Sequence, residues 1–187
     1  MGVKDLLKRL SDCVAKRVDL RDFPSGKLVV VDGHFVAHSL ATRNIADSLL
    51  DKRDVTPLAN TFVSRMSRFR EVGLKVKVVF DGAAPPAKER TNSARYFRRR
   101  EALRRSEEAL NKGEKPQNAN VCVSINQDVV TVILKALQVN LFSAMVAPYE
   151  ADVQVVLLEA ELGAVFVYAN DADLLGIGCQ NLISEIE

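Results

Sequence analysis

The chain has no tryptophan, two histidines and three cysteines among its 187 residues, and each scarcity narrows what it can do. Cys13, Cys122 and Cys179 lie far apart without a CxxC spacing, which speaks against a disulfide framework or a thiolate zinc site and fits a reducing compartment. No apolar run approaches the length of a membrane span. The opening MGVKDLLKRLSD sets Lys4, Asp5, Lys8 and Arg9 where a secretory segment needs an apolar core, so an intracellular, non-secreted protein is expected. Gly2 would suit myristoylation, but Leu6 stands where that motif requires Ser or Thr. Neither GxGxxG nor GxxxxGK[ST] occurs, so a nucleotide cradle is unsupported. There is no internal repeat.

What is present is an ordinary globular composition, 48% hydrophobic and 27% charged, of a length that suits one domain with a full core. LVVV (28–31), VKVVF (76–80), SAMVA (143–147) and AVFVYA (164–169) read as strands buried on both faces. Between them, Leu58 to Val72, Val129 to Leu137 and Asp152 to Leu162 carry helical spacing, the last stopped by Gly163. Strands alternating with helices predict an α/β doubly wound fold with a mainly parallel central sheet and helices on both faces. The segment 83–120 breaks the alternation between an N-terminal part (1–105) and an internal part (140–187), and an insertion of that length is usually functional.

The net charge of +2 conceals that insertion's polarity. Lys88, Arg90, Arg95, Arg98, Arg99, Arg100, Arg104 and Arg105 face only Glu89 and Glu101, so residues 88–105 carry +6 and the remainder −4. Such polarity suits an anionic partner, although a charge run by itself is more often a solvated helix face.

Each strand-like run ends in acid: Asp32, Asp81, the pair Glu150 and Asp152, and the pair Asp171 and Asp173. In open α/β sheets the ligand site lies beyond the carboxyl ends of the strands, so a parallel sheet gathers all six carboxylates at one edge. Crowded carboxylates repel and take up protons, a penalty that divalent cations remove. Oxygen-only ligands favour Mg²⁺ or Mn²⁺ over zinc. Two such ions about 4 Å apart suit in-line attack of water on a phosphodiester. A single aspartate after a strand more often starts a turn or caps a helix. Four strand ends at once ask for a common cause.

The same blocks carry a resemblance. MGVKDLL, VVVDG, VVFDG followed by PPAK, VAPYEADVQ and NDADLLGIG are similar to the structure-specific 5′ nucleases of the flap endonuclease and XPG type, most of all to the N-terminal nuclease domain of the exonuclease 1 group. The match spans nearly the whole chain. It implies a PIN-like α/β domain, two divalent ions, and hydrolysis at or near the 5′ ends of duplex, nicked or flap DNA by a nuclear, monomeric enzyme of repair or replication. Residue by residue, Asp32, Asp81, Glu150, Asp152, Asp171 and Asp173 match the metal carboxylates. Lys88 and Arg95 match the basic pair that reaches the scissile phosphate, and Arg98 and Arg99 match further basic positions of a gateway helix. His38 matches a position that stacks on a nucleotide, and Gly2 one that lets the N-terminus approach DNA.

Asp5 departs from a family glycine and Asn170 from a common glutamate. The resemblance also implies a chain truncated before a seventh carboxylate and a helical, potassium-binding module. Two other readings stand beside the nuclease: a catalytically weak or inactive scaffold of the same fold that binds DNA or RNA, and a phosphatase- or receiver-like domain with Asp32 as nucleophile. The last leaves Asp81 and both acid pairs without a reason.

Overall fold

The computed structural model describes residues 17–42, 54–84, 89–114 and 125–186. Its centre is a five-stranded sheet, every pairing in it parallel. The strands are β1 (Leu28–Asp32), β2 (Lys75–Phe80), β3 (Ser143–Val146), β4 (Phe166–Tyr168) and β5 (Leu182–Ile183), in the order β3-β2-β1-β4-β5. The helices are α1 (Gly33–Leu40), α2 (Thr56–Glu71), α3 (Glu89–Asn111), α4 (Gln127–Val139), α5 (Ala151–Leu162) and α6 (Asp173–Gly176). The four strands read from the sequence are present, with β4 shorter than its apolar run; β3, expected to be buried on both faces, lies at an edge of the sheet and none of its residues is buried. The edge strand β5 lacks such a run and takes its place by pairing Val167 with Leu182 and Tyr168 with Ile183.

Alternation along the buried strands separates two cores. Val29, Val31, Val76, Val78, Phe80, Phe166 and Tyr168 point to the side covered by α1, α2 and α4. Val30, Val79 and Val167 point to the other side, against Ala151, Val155 and Leu158 of α5. On α2, Leu58, Phe62, Met66 and Phe69 recur at helical spacing and are fully buried. Phe62 meets Phe80 with ring centroids 5.9 Å apart, and Phe69 bridges Phe166 and Tyr168 at 6.0 and 5.4 Å. Each such ring, removed from water, contributes roughly 1.5–3 kcal/mol. Asn126 caps α4 through Val129 N–H, and Gly163 ends α5 in the left-handed conformation (φ 62°).

One buried carboxylate serves the fold rather than the sheet's carboxyl edge. Glu159 accepts the N–H groups of Gln180 (3.1 Å) and Asn181 (3.0 Å), anchoring the turn that leads into β5. Beside it, burial first and the Glu159 charge second push the Cys179 thiol up to about 12, so this cysteine stays a thiol.

Among the described glycines the tightest backbone approach is at Gly82, where an added Cβ would stand 1.9 Å from the Ala147 carbonyl oxygen. Gly82→Ala is therefore expected to destabilise the protein by about 3 kcal/mol, the upper end of overpacking costs. Thermal unfolding should show this as a fall of roughly 6–12 °C. Gly176→Ala, whose Cβ would meet nothing within 4 Å, should leave the midpoint essentially unchanged.

Candidate functional site

The carboxyl edge is assembled by backbone pairing between the segments that follow β2 and β3. Ala147 N–H donates to Phe80 O (2.8 Å), Gly82 N–H to Tyr149 O (2.6 Å) and Ala83 N–H to Pro148 O (3.2 Å). Asp81 sits inside this ladder, and its Oδ1 accepts Ala151 N–H at 2.7 Å, at the first residue of α5. Glu150 is the N-cap residue of that helix and Asp152 lies in its first turn. The helix N-terminus thus holds acids at a place where the macrodipole favours negative charge.

Asp32 ends β1 and caps α1, its Oδ1 accepting Phe35 N–H at 3.1 Å. Its carboxyl is pushed up to about 7, chiefly by burial, against the Phe35 hydrogen bond and with help from the charges of Asp81 and Asp152. Asp32, at the end of β1, thus feels the charge of acids that follow β2 and β3. Even so, among the described residues no three His, Cys, Asp or Glu side chains stand close enough to hold a metal ion. The donor set nevertheless fits a hard divalent cation: it is all oxygen, and Asp32 carries a charge penalty that a cation would lift.

The other acids reach the same edge through the parallel topology. Asp171 follows β4, and its Oδ1 accepts Asp173 N–H at 2.9 Å to start α6. His38 is exposed on α1 and lines a cleft of about 520 Å³ with Phe35, Arg65, Tyr168, Asn170 and Glu185. The cleft lies between α1, α2, the end of β4 and the segment after β5, and none of the six acids lines it. Arg95, Arg98 and Arg99 all lie on α3, with Arg98 exposed. Gly2 and Lys88 lie outside the described residues.

Sequence reasoning missed His34. Its Nδ1 accepts Asp81 N–H at 3.1 Å and lies 3.3 Å from Asp81 Oδ2, while its ring stands edge-on to Phe80. An accepting Nδ1 places the proton of the neutral ring on Nε2. Burial lowers the imidazole pKa, against the Asp81 charge, and so favours that neutral form. The only signal was adjacency to Asp32 in VVVDGHF; nothing local links positions 34 and 81.

Residues 1–102 match the XPG N-terminal domain. The chain belongs to the XPG N-terminal domain family. This XPG-family chain is also 30% identical, over its full length, to exodeoxyribonuclease 1 of Schizosaccharomyces pombe, of which it covers 33%. Among solved structures, 97% of it superposes on 39% of human GEN1 in complex with Holliday junction DNA, with a TM-score of 0.67 at 19% identity. It also superposes, over 97% of its length, on 36% of the Holliday junction-resolving enzyme GEN1 in complex with product DNA and a Mg²⁺ ion, with a TM-score of 0.56 at 15% identity. The chain thus spans about a third of the length of these proteins.

The raised Asp32 pKa has a consequence for the protein held in chelator. The folded state binds this proton more tightly than the unfolded chain, whose aspartate titrates near 3.8. Its stabilisation is complete below about pH 4 and is lost as pH rises through about 7. Urea midpoints should fall over that window, and Asp32→Asn, which keeps an acceptor for Phe35 N–H, should flatten the fall.

His34 can be tested at fixed pH. His34→Phe keeps a ring on Phe80 but orphans Asp81 N–H, and should cost about 1–3 kcal/mol in urea unfolding. His34→Asn retains an acceptor near the Nδ1 position and should cost less.

Proposed function

We propose that this chain forms a single PIN-like nuclease domain of a divalent-metal-dependent 5′ nuclease, which hydrolyses phosphodiesters at or near the 5′ ends of duplex or flap DNA. The observation that carries this reading is the electrostatic meeting of Asp32, Asp81 and Asp152 at the carboxyl edge of a parallel sheet in an XPG-family chain. Asp32, Asp81, Glu150, Asp152, Asp171 and Asp173 are the residues that would hold two Mg²⁺ or Mn²⁺ ions. Bound there, the ions supply a more acidic attacking water and charge for the leaving oxygen.

The protein's own contribution is position and charge. The ladder after β2 and β3 sets Asp81 against the start of α5, and with it Glu150 and Asp152. Lys88 and Arg95 neutralise charge that develops on the scissile phosphate. Arg98, Arg99, His38 and Gly2 contact DNA, the arginines through its backbone without reading sequence. The domain acts as a nuclear monomer in repair or replication. DNA-bound GEN1 structures and the exodeoxyribonuclease relative support this choice of substrate.

Two measurements test the reading. Asp152→Ala combined with Asp171→Ala should abolish Mg²⁺-dependent cleavage of a 5′-flap duplex and Mn²⁺ binding in a calorimeter, with the fold retained. Parent-like Mn²⁺ affinity in that variant would reduce the acids to helix caps. In a form extended by the helical module that the resemblance implies, Lys88→Ala should lower the single-turnover rate by about 10²-fold, comparable to losing an oxyanion donor. Arg104, already held by Glu101 and Glu108, should be dispensable for chemistry. Equal effects of the two substitutions would make α3 a generic basic patch.

A further inference from the structure

Glu159 is only 5% exposed, and it stands two turns, about 10 Å, down α5 from Asp152. Its two carboxylate oxygens accept Gln180 N–H and Asn181 N–H, and the Cys179 thiol donates to the same group. Three consecutive residues of one turn are thus held by one side chain of another element. Taking a carboxylate out of water is costly, and an apolar side chain of similar volume often serves stability as well. An apolar contact, however, leaves the turn free to slide and tilt. Two hydrogen bonds to successive N–H groups fix the height and the angle at which it meets α5.

That turn is the far end of the segment that carries Asp171 and Asp173. Helix α6 within it has four residues, too few to hold their place by their own hydrogen bonds. At the near end, Ala169 N–H donates to Ile183 O (3.1 Å) as the chain leaves β4. At the far end, Cys179 N–H donates to Leu174 O (2.9 Å) and Ile177 N–H to Asp173 O (3.2 Å). Leu174 is fully buried in the core that Val155 and Leu158 of α5 share with Cys179. A continuous path of contacts therefore runs from Glu159 through the turn to Leu174 and Asp173. The sheet itself offers no such tie. Glu150 and Asp152 follow β3, Asp171 and Asp173 follow β4, and the order β3-β2-β1-β4 sets those strands three spacings apart, about 14 Å. Helix α5 starts at the first acid pair and, through Glu159, holds the segment that carries the second.

We propose that Glu159 is a positioning residue for the metal-binding edge, setting the Asp171–Asp173 segment against α5 so that the two acid pairs close on shared cations. The inference rests on the metal-dependent nuclease reading and adds to it a residue that touches neither metal nor DNA. Its action passes through the backbone of the turn and of α6.

Glu159→Gln tests this, since it keeps the shape but turns an NH2 group toward a backbone donor. In the metal-free variant, hydrogen exchange at the Asp173 and Leu174 amides should accelerate by about tenfold, as local opening becomes easier. The Phe35 and Ala151 amides, bound to Asp32 and Asp81, should keep the parent's rates. Mn²⁺ affinity, read in a calorimeter at a temperature where circular dichroism shows both proteins folded, should fall by about tenfold, as on loss of a group that orients metal ligands. In an Asp173→Asn background the same substitution should cost less than about twofold, because effects that share one route do not add. Glu159→Asp, which keeps the charge but shortens the side chain by one methylene, should also weaken Mn²⁺ binding and serves if the glutamine variant does not fold. A residue that only stabilises the fold would lower the melting temperature and leave Mn²⁺ affinity untouched. Parent-like Mn²⁺ affinity in the folded variants, or a full penalty persisting beside Asp173→Asn, would overturn this inference alone. Absence of Mn²⁺ binding by the parent would instead overturn the nuclease reading on which it rests.

Discussion

The carboxyl edge depends on one close approach, the packing of Gly82 under the Ala147 carbonyl with the hydrogen bonds on either side of it. β2 and β3 lie side by side in parallel, but their strand pairing ends at Phe80 and Val146. The contact at Gly82 extends the ladder past the sheet, so that Asp81 meets the first turn of α5. A side chain at position 82 would force these segments apart and take Asp81 away from Ala151 N–H. The acids of two different strand ends are thereby held as one unit, and β1 adds Asp32 to it through its parallel register with β2.

The same acids hold helices and carry charge. Asp32 caps α1, Asp81 binds the start of α5 and Asp171 the start of α6. The ordinary reading of an aspartate after a strand is thus realised at three sites, and it does not compete with the functional one. A helix N-terminus lets a carboxylate keep its charge where repulsion would otherwise protonate it. That help is incomplete for Asp32, whose burial outweighs its hydrogen bond. A carboxylate fixed by a backbone N–H also needs little reorganisation to meet a cation, which is what preorganisation of a metal site means.

Helix α3 shows how charge can be allocated along one element. Glu101 and Glu108 consume Arg104 and Arg105, pairs that are exposed and contribute little to stability. Their effect is to confine the unneutralised arginines to the end of the helix nearer the sheet's carboxyl edge in sequence. A polyanion would meet a localised patch rather than a uniformly basic rod.

The sequence by itself determined the fold class and the list of acids. Val- and Phe-rich runs too apolar for one-sided strands required a sheet covered on both faces, and an acid after each run followed directly in the chain. Helical spacing from Leu58 to Phe69 and the stop at Gly163 were legible for the same reason, since period and turn chemistry are local. What local signals could not carry was decided by tertiary structure. The two-residue β5 exists only by pairing with β4. The placement of His34 Nδ1 on Asp81 N–H, 47 residues away, follows from the β1–β2 register. Which carboxylates feel one another was likewise a matter of register and of the Gly82 contact, because electrostatic coupling depends on distance through space and on burial, and neither is written in the order of residues.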